Sequence, residues 1–270
     1  MDQQRVNKLK TKTINDFGAQ WTQFTTNQGY YGSVDVFHDI LGPLMDAGEI
    51  KGKKVAEIGS GTGRIIRMLN GVGAAEMTAV EPSIAVEVLR ENIRDFSDKV
   101  TIVNAPGDQI PQGDFDMVFS IGVLHHIPEP EIVVRKAYEA IKTNGKMVIW
   151  LYGKEGNELY LIVYKTLRFF TSILPRWFTN LMSHALLPVL NIYCGLASKF
   201  KLPMWQYMRG HIAKLNNHCR RLTIFDQLNP SWAKYYTKEE AFELLNQAGF
   251  KNIKMFNRHG YSWSVVGEKA

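Results

Sequence analysis

The sequence predicts an α/β fold: a seven-stranded, mostly parallel sheet with a C-terminal β-hairpin and a helical insertion after strand five. Three observations carry that reading. From Lys53 to Tyr152 short apolar runs alternate with amphipathic stretches, the pattern of parallel strands joined by right-handed crossovers. A glycine-rich turn, GSGTG at 59–63, follows the first apolar run and leads straight into a helix. The alternation stops after Tyr152 and resumes at Thr237. The segment between is therefore read as an addition to the sheet.

Each element follows from its own residues. Residues 1–50 form an N-terminal helical lid. Val6, Leu9, Thr13, Ile14, Phe17, Trp21 and Phe24 recur there at three- and four-residue steps, which is a helical stripe. The GYYGS cluster at 29–33 breaks it. The core occupies 51–152 and 236–270. Its parallel strands are KKVAEI, MTAVE, VTIVN, FDMVFS and KMVIWLY, starting at residues 53, 77, 100, 115 and 146. RIIRMLNG is the helix after the glycine turn and stops at Gly71. SIAVEVLRENIRDF is the next helix, and Pro82 stands at its start, where a missing N–H costs little. PEIVVRKAYEAIKTNG is predicted to stay helical from 130 to the Asn144-Gly145 pair. Thr237 can cap KEEAFELLNQAG while Glu240 reaches back in a capping box. KNIKMFNR and YSWSVVGE flank His259-Gly260 as the closing hairpin.

Residues 153–235 make the helical insertion, an aromatic and basic cap. Pro175, Pro188, Pro203 and Pro230 punctuate it, so it reads as several short helices, interrupted rather than continuous. Tyr160, Tyr164, Phe169, Phe170, Trp177 and Phe178 enrich its first half, and Met204, Trp205, Tyr207 and Met208 its second.

Composition bounds the function. With 270 residues, 45% apolar and 21% charged, the chain is globular and can bury a large core. Cys194 and Cys219 form no C-x-x-C pair, and His211 and His218 stand seven apart with no thiolate to match. Neither a disulfide scaffold nor a metal site is expected. Residues 1–16 are polar and carry acids, unlike a leader peptide, so the expected home is the cytoplasm. Between Leu159 and Tyr235 ten lysines and arginines face one acid, Asp226. That stretch is a net +9 in a chain of +6, which leaves the remainder at −3. Such asymmetry points to an anionic ligand or surface.

Trp177 to Ser198 holds no Asp, Glu, Lys or Arg and is long enough to cross a bilayer. A single crossing would, however, separate strand five from the Thr237 helix, and one sheet needs both. A buried lid is the first reading of this stretch. Contact with a membrane surface, giving a cytoplasmic protein held peripherally, is the second.

The chemistry centres on V-A-E-I-G-S-G-T-G-R at 55–64. Glycines let a ligand lie against bare backbone, and the helix N-terminus behind them offers unpaired N–H groups. A dinucleotide fingerprint would place its third glycine at 64, where Arg64 stands. Glu57, two residues before Gly59, is also out of keeping with that fingerprint.

With E-x-G-x-G-x-G at 57–63, the chain resembles the class I S-adenosylmethionine-dependent methyltransferases, of the small-molecule type with Leu-His-His. The resemblance covers roughly 50–152 and 236–267 and implies a Rossmann-like sheet with S-adenosylmethionine as cofactor. It implies that Glu57, Gly59, Ser60, Gly61 and Gly63 wrap the amino-acid end of that cofactor. Glu81, in AVEPS with Pro82, falls where the family places an acid on both ribose hydroxyls, and a carboxylate suits two adjacent O–H donors. The acid that usually receives the adenine amino group would align with Pro106, and Asp108 is the candidate to replace it. Ser120, Ile121 and Gly122 would border the sulfonium. His125 or His126 would act as general base for a hydroxyl acceptor, His126 ahead of His125, since neutral imidazole suits that task near pH 7.

After strand four the chain has Ser-Ile-Gly-Val instead of the Asn/Asp-Pro-Pro-Tyr/Phe of base-amine and glutamine methyltransferases. The expected activity is O-methylation of an anionic or amphipathic small molecule, with no stable nucleic-acid partner. The basic insertion supplies that anionic preference, and Arg220, Arg221 and Asp226 are its candidate acceptor contacts, because guanidinium grips anions in bidentate fashion. Two rivals stand beside this reading. One is an RNA or protein methyltransferase that uses the insertion as a clamp. The other is a non-catalytic protein that only binds the cofactor.

Overall fold

The computed structural model describes residues 2–162, 164 and 176–270. Lys165, Arg168, Phe169, Phe170 and Pro175 lie outside the described residues. Seven strands form one sheet: β1 (Lys54–Ile58), β2 (Glu76–Val80), β3 (Val100–Val103), β4 (Phe115–Ile121), β5 (Ile141–Tyr152), β6 (Lys251–Arg258) and β7 (Ser262–Glu268). Their order is β3-β2-β1-β4-β5-β7-β6. The first five run parallel, whereas β7 is antiparallel to both its neighbours. The order reverses at β1, between β2 and β4, and such a switch point opens a crevice at the carboxyl ends of the strands.

Helices cover both faces. α2 (Val34–Leu41), α3 (Arg64–Gly71) and α4 (Val86–Asn92) pack on one. On the other lie α5 (Pro130–Ala140) and the helix of Lys238–Asn246, which is α9 in chain order. The Thr237 capping box is made: the Glu240 N–H donates to Thr237 Oγ1 at 3.2 Å and the Thr237 N–H to Glu240 Oε2 at 2.9 Å. Arg258, at the end of β6, is buried and donates to Asp39 of α2 from both Nε and Nη2. Against the opposing effect of burial, a hydrogen bond from His259 and then the Arg258 guanidinium hold the Asp39 carboxyl down at about 2.

Two expectations need correction. α5 ends at Ala140, well before Asn144-Gly145. Ile141 is buried and pairs with Phe115 at the start of β4, so sheet pairing takes the chain from the helix. Asn144 then adopts φ 63° within an irregular stretch of β5. The second correction concerns the insertion. Residues Arg176–Phe200 form one helix of 25 residues, α6, with Pro188 inside it. Pro188 lies on the solvent side, where water can take the carbonyl that a proline leaves unbonded. α7 (Trp205–Gly210) and α8 (Asn217–Leu228) follow.

The insertion leaves and rejoins the core at a single place. Gly153 bridges Tyr236, and the Tyr236 N–H donates to the Tyr152 carbonyl at 2.9 Å. The N-terminal helix α1 (Gln3–Gln23) is fastened to the returning chain. Asp16 accepts from the backbone and hydroxyl of Ser231, while Gln20 bonds both Asp226 and Asn229.

Candidate functional site

A single cavity of about 740 Å³ runs from the glycine turn, under α1, into the insertion. That volume lies in the upper range for ligand sites. At its first end β1 delivers the chain into Gly59, Gly61 and Gly63, all at positive φ (79°, 52° and 81°). A Cβ on Gly59 would stand 2.5 Å from Val123, and one on Gly61 3.1 Å from the Trp21 indole. The turn therefore requires glycine on steric as well as dihedral grounds. Gly59, Ser60 and Gly61 line the cavity. Gly63 does not: it caps α3, and a Cβ there would meet Leu89 at 2.7 Å.

Glu57 lines the cavity and is almost fully buried, and its Oε2 has no hydrogen-bond partner among the described residues. Burial pushes its carboxyl up to about 8, with Ser60 and Arg64 opposing and Glu81 adding to the rise. An unpartnered buried carboxyl is costly and suits a cationic group such as an ammonium. Glu81 is buried in the same wall. Its Oε2 accepts from the Gly61 N–H at 2.8 Å, and its Oε1 from the backbone and hydroxyl of Ser83. A carboxylate offers about four acceptor positions. Three are taken, so gripping two ribose hydroxyls requires one of these donors to give way.

Pro82 and Asp108 line the same region. Asp108 Oδ2 pairs with Lys10 of α1 at 2.6 Å, and its Oδ1 is buried without a partner, open to an amino donor. Ile121 and Gly122 border the cavity, whereas Ser120 does not; its hydroxyl faces the Ile58 carbonyl at 3.4 Å across β1. Unpartnered carboxyl oxygens, bare backbone and a sheltered acid at the end of β2 together fit S-adenosylmethionine.

The histidine pair divides. His126 lines the cavity and packs against Phe17. Its Nδ1 lies 2.8 Å from the Trp232 carbonyl. A carbonyl can only accept, so Nδ1 carries a proton, and in the neutral ring the lone pair is then on Nε2. His125 is fully buried behind the wall, stacked on Tyr152 at 3.8 Å between ring centroids. Burial holds its pKa well below that of an ordinary imidazole, and His126 adds to this. The general-base expectation for His125 is corrected accordingly: it supports Tyr152.

Beyond His126 the wall is rich in tyrosine. The Tyr152 hydroxyl donates to Asp226 Oδ2 at 2.8 Å and accepts from Gln227 at 2.8 Å. Tyr160 and Tyr235 both donate to Gln227 Oε1. Asp226 Oδ1 accepts from Gln20 at 2.7 Å. Asn157 Oδ1 is buried in the wall without a partner among the described residues. Asp226 thus stands where an acceptor contact was expected, but the arginine pair does not.

Arg220 spends Nε and Nη2 on the Ile212 and Ala213 carbonyls and Nη1 on Asn191. Arg221 lies over the Phe24 ring and donates to Asn180 and His184. Neither lines the cavity. The anion grip expected of them is corrected to a structural role: helix-end carbonyls and a ring consume both guanidiniums.

Sequence reasoning missed the polar contacts of α1, Lys10 and Gln20, and the Tyr152–Asp226–Gln227 network. It also missed Arg64, which lines the cavity and lies over the Tyr31 ring at 4.4 Å. The readable signals were the polar Asp16 and Gln20, four residues apart on a lid helix, and a lone acid in a basic stretch.

Comparison with known proteins adds a family likeness for part of the chain. Residues 56–149 match the methyltransferase domain family. Phosphoethanolamine N-methyltransferase 2 of Caenorhabditis elegans is 33% identical over 108 residues, which cover 38% of this chain and 24% of that protein. Ubiquinone biosynthesis O-methyltransferase of Escherichia coli O7:K1 is 25% identical over 131 residues, covering 43% of this chain and 50% of its own. The matches thus span half or less of these relatives' length. Among solved structures, magnesium protoporphyrin IX methyltransferase from Synechocystis PCC 6803 with bound S-adenosylhomocysteine superposes with a TM-score of 0.56. It is 12% identical, and the alignment covers 98% of this chain and 99% of that one. The shared fold is the seven-stranded Rossmann-like sheet.

Proposed function

We propose, from the premise that residues 56–149 form a class I S-adenosylmethionine-dependent methyltransferase domain, that this protein methylates a hydroxyl of an amphipathic small molecule. The observation that carries the reading is the continuity of the cavity. One space joins the glycine turn, His126 and the tyrosine wall of the insertion, so donor and acceptor can be held in line.

When bound, S-adenosylmethionine supplies the electrophilic methyl group. Glu57 and the 59–61 backbone would hold its amino-acid end, Glu81 its ribose and Asp108 its adenine. His126 Nε2 takes the proton of the acceptor hydroxyl as the new bond forms, and the Trp232 carbonyl stabilises the resulting imidazolium through Nδ1. Asp226 and Asn157 Oδ1 offer acceptors to a ligand that brings O–H donors, and the tyrosine rings suit an aromatic or apolar body. The described lysines and arginines of the insertion do not line the cavity, whereas Lys10, Arg64 and Arg258 do, so an anionic group on the acceptor would meet cations from outside the insertion. An amine acceptor is the second reading, favoured by the Asp226 carboxylate among tyrosine rings, a setting that attracts ammonium groups.

Calorimetric titration with S-adenosylhomocysteine, with NADH in parallel, tests the donor half. Binding of the first and not the second is expected; the reverse would dismiss the reading. Turnover assays with matched phenol and amine acceptors then separate oxygen from nitrogen.

A further inference from the structure

α6 carries large apolar side chains on its outer face as well as on its inner one. At 100° per residue, Trp177, Leu181, Val189, Ile192, Leu196 and Phe200 fall within an arc of about 140°, and all six are 45–67% exposed. The buried residues Thr179, Ser183, Cys194 and Ala197 occupy the opposite arc. A surface helix of a globular protein turns its large apolar residues inward. α6 does so with Leu186, Leu190 and Tyr193, which line the cavity, but the six large side chains named above face out. Contiguous exposure of this kind marks an interaction surface.

Charge identifies the partner. Lys199 and Lys201 follow the apolar face at its C-terminal end, over the rings of Phe200 and Trp205. Arg209 and Lys214 are exposed on the elements packed beside α6. The stretch from Leu159 to Tyr235 has a single acid, Asp226, and that acid is turned into the cavity, bonded to Tyr152 and Gln20. From Leu159 to Tyr235 the outer surface of the insertion therefore offers apolar side chains and cations, with the exposed Glu158 carboxylate just ahead of them. The mouth of the cavity lies at the same face, because Val189 and Leu159 line the cavity and are each 60% exposed.

We infer that the outward face of α6 docks on an anionic bilayer surface, lying in the interface plane. A crossing is not required, since the helix's inner face is packed against the rest of the insertion. Docking there sets the cavity mouth against the lipid phase, so an amphipathic acceptor can pass from bilayer to site without entering water. This last step rests on the proposed methyltransferase function; the docking itself does not.

Vesicle flotation decides the matter, with phosphatidylcholine alone and with phosphatidylcholine mixed with phosphatidylglycerol. The full chain should float with the mixed vesicles, less so at high salt, because surface charge is screened. A Leu181→Glu/Ile192→Glu variant should partition about tenfold more weakly or worse. A Lys199→Glu/Lys201→Glu variant should lose the preference for the anionic lipid. Both variants should bind S-adenosylhomocysteine as the parent does; failure of the parent to bind it would sink the methyltransferase reading and leave the docking result standing. Absence of vesicle binding, equal binding to neutral vesicles, or a stable dimer in solution that covers α6 would each overturn the inference.

Discussion

The two ends of the cavity are built on different principles. The glycine-turn end uses backbone geometry and neighbouring strands: Gly59 and Ser60 donate to the Val80 carbonyl, and Glu81 accepts from Gly61. The insertion end is made of side chains from remote segments, with Gln20, Tyr152, Asp226 and Gln227 meeting in one network. The first end is therefore rigid and set by a short run of sequence. The second depends on the lid, the sheet and the insertion all arriving together, which is where an acceptor pocket can change without loss of the donor site.

The sharpest way to separate the two ends is His126, which stands between them. His126→Ala should lower kcat by about 10²–10⁴-fold, with S-adenosylhomocysteine affinity nearly unchanged; equal turnover in the variant would move the base elsewhere. Next in size, Glu81→Ala should weaken S-adenosylhomocysteine binding by about 1.5–3 kcal/mol, as for a lost charged hydrogen bond. The acceptor KM should move little, and calorimetry reads the first while steady-state kinetics reads the second.

Glu57 gives a pH signature confined to the first end. Its carboxyl sits at about 8 in the folded protein against an ordinary 4.5. The folded state therefore binds more protons than the unfolded state between those values. Stability should fall as pH rises across that window, by up to about 1.4 kcal/mol per pH unit from this group. Thermal melts of Glu57→Gln should show a shallower decline. Ligand binding below pH 8 should release a proton from the parent and not from this variant, as calorimetry in buffers of different ionisation enthalpy would reveal. Smallest is Tyr152→Phe at the second end, which removes one neutral donor to Asp226. It should cost about 0.5–1.5 kcal/mol in acceptor binding and leave cofactor affinity untouched.

The same division explains what could be read in the sequence. Strand positions, the glycine turn, Glu57, Glu81 and the Thr237 capping box depend on residues close in sequence or on periodicity, and all are visible there. Helix boundaries were less legible where tertiary pairing intervened, as when Ile141 joined β4 and shortened α5. Pro188 misled because its cost depends on exposure, which a sequence does not display. Arg220 and Arg221 misled for a related reason: a guanidinium's partners are carbonyls and rings placed by folding. Gln20 and Asp226 lie 206 positions apart, and nothing local announces their meeting.

α1 touches both ends at once. Trp21 lies against Gly61, and the residue before it, Gln20, holds Asp226 and Asn229. Whatever displaces this helix at one ligand's position displaces it at the other's. The two affinities are then thermodynamically linked, and linkage is reciprocal: a donor that tightens acceptor binding by some factor must itself be tightened by the acceptor by that same factor. A Gln20→Ala substitution, remote from any reacting atom, would make the sites more nearly independent, which equilibrium binding of each ligand with and without the other can quantify.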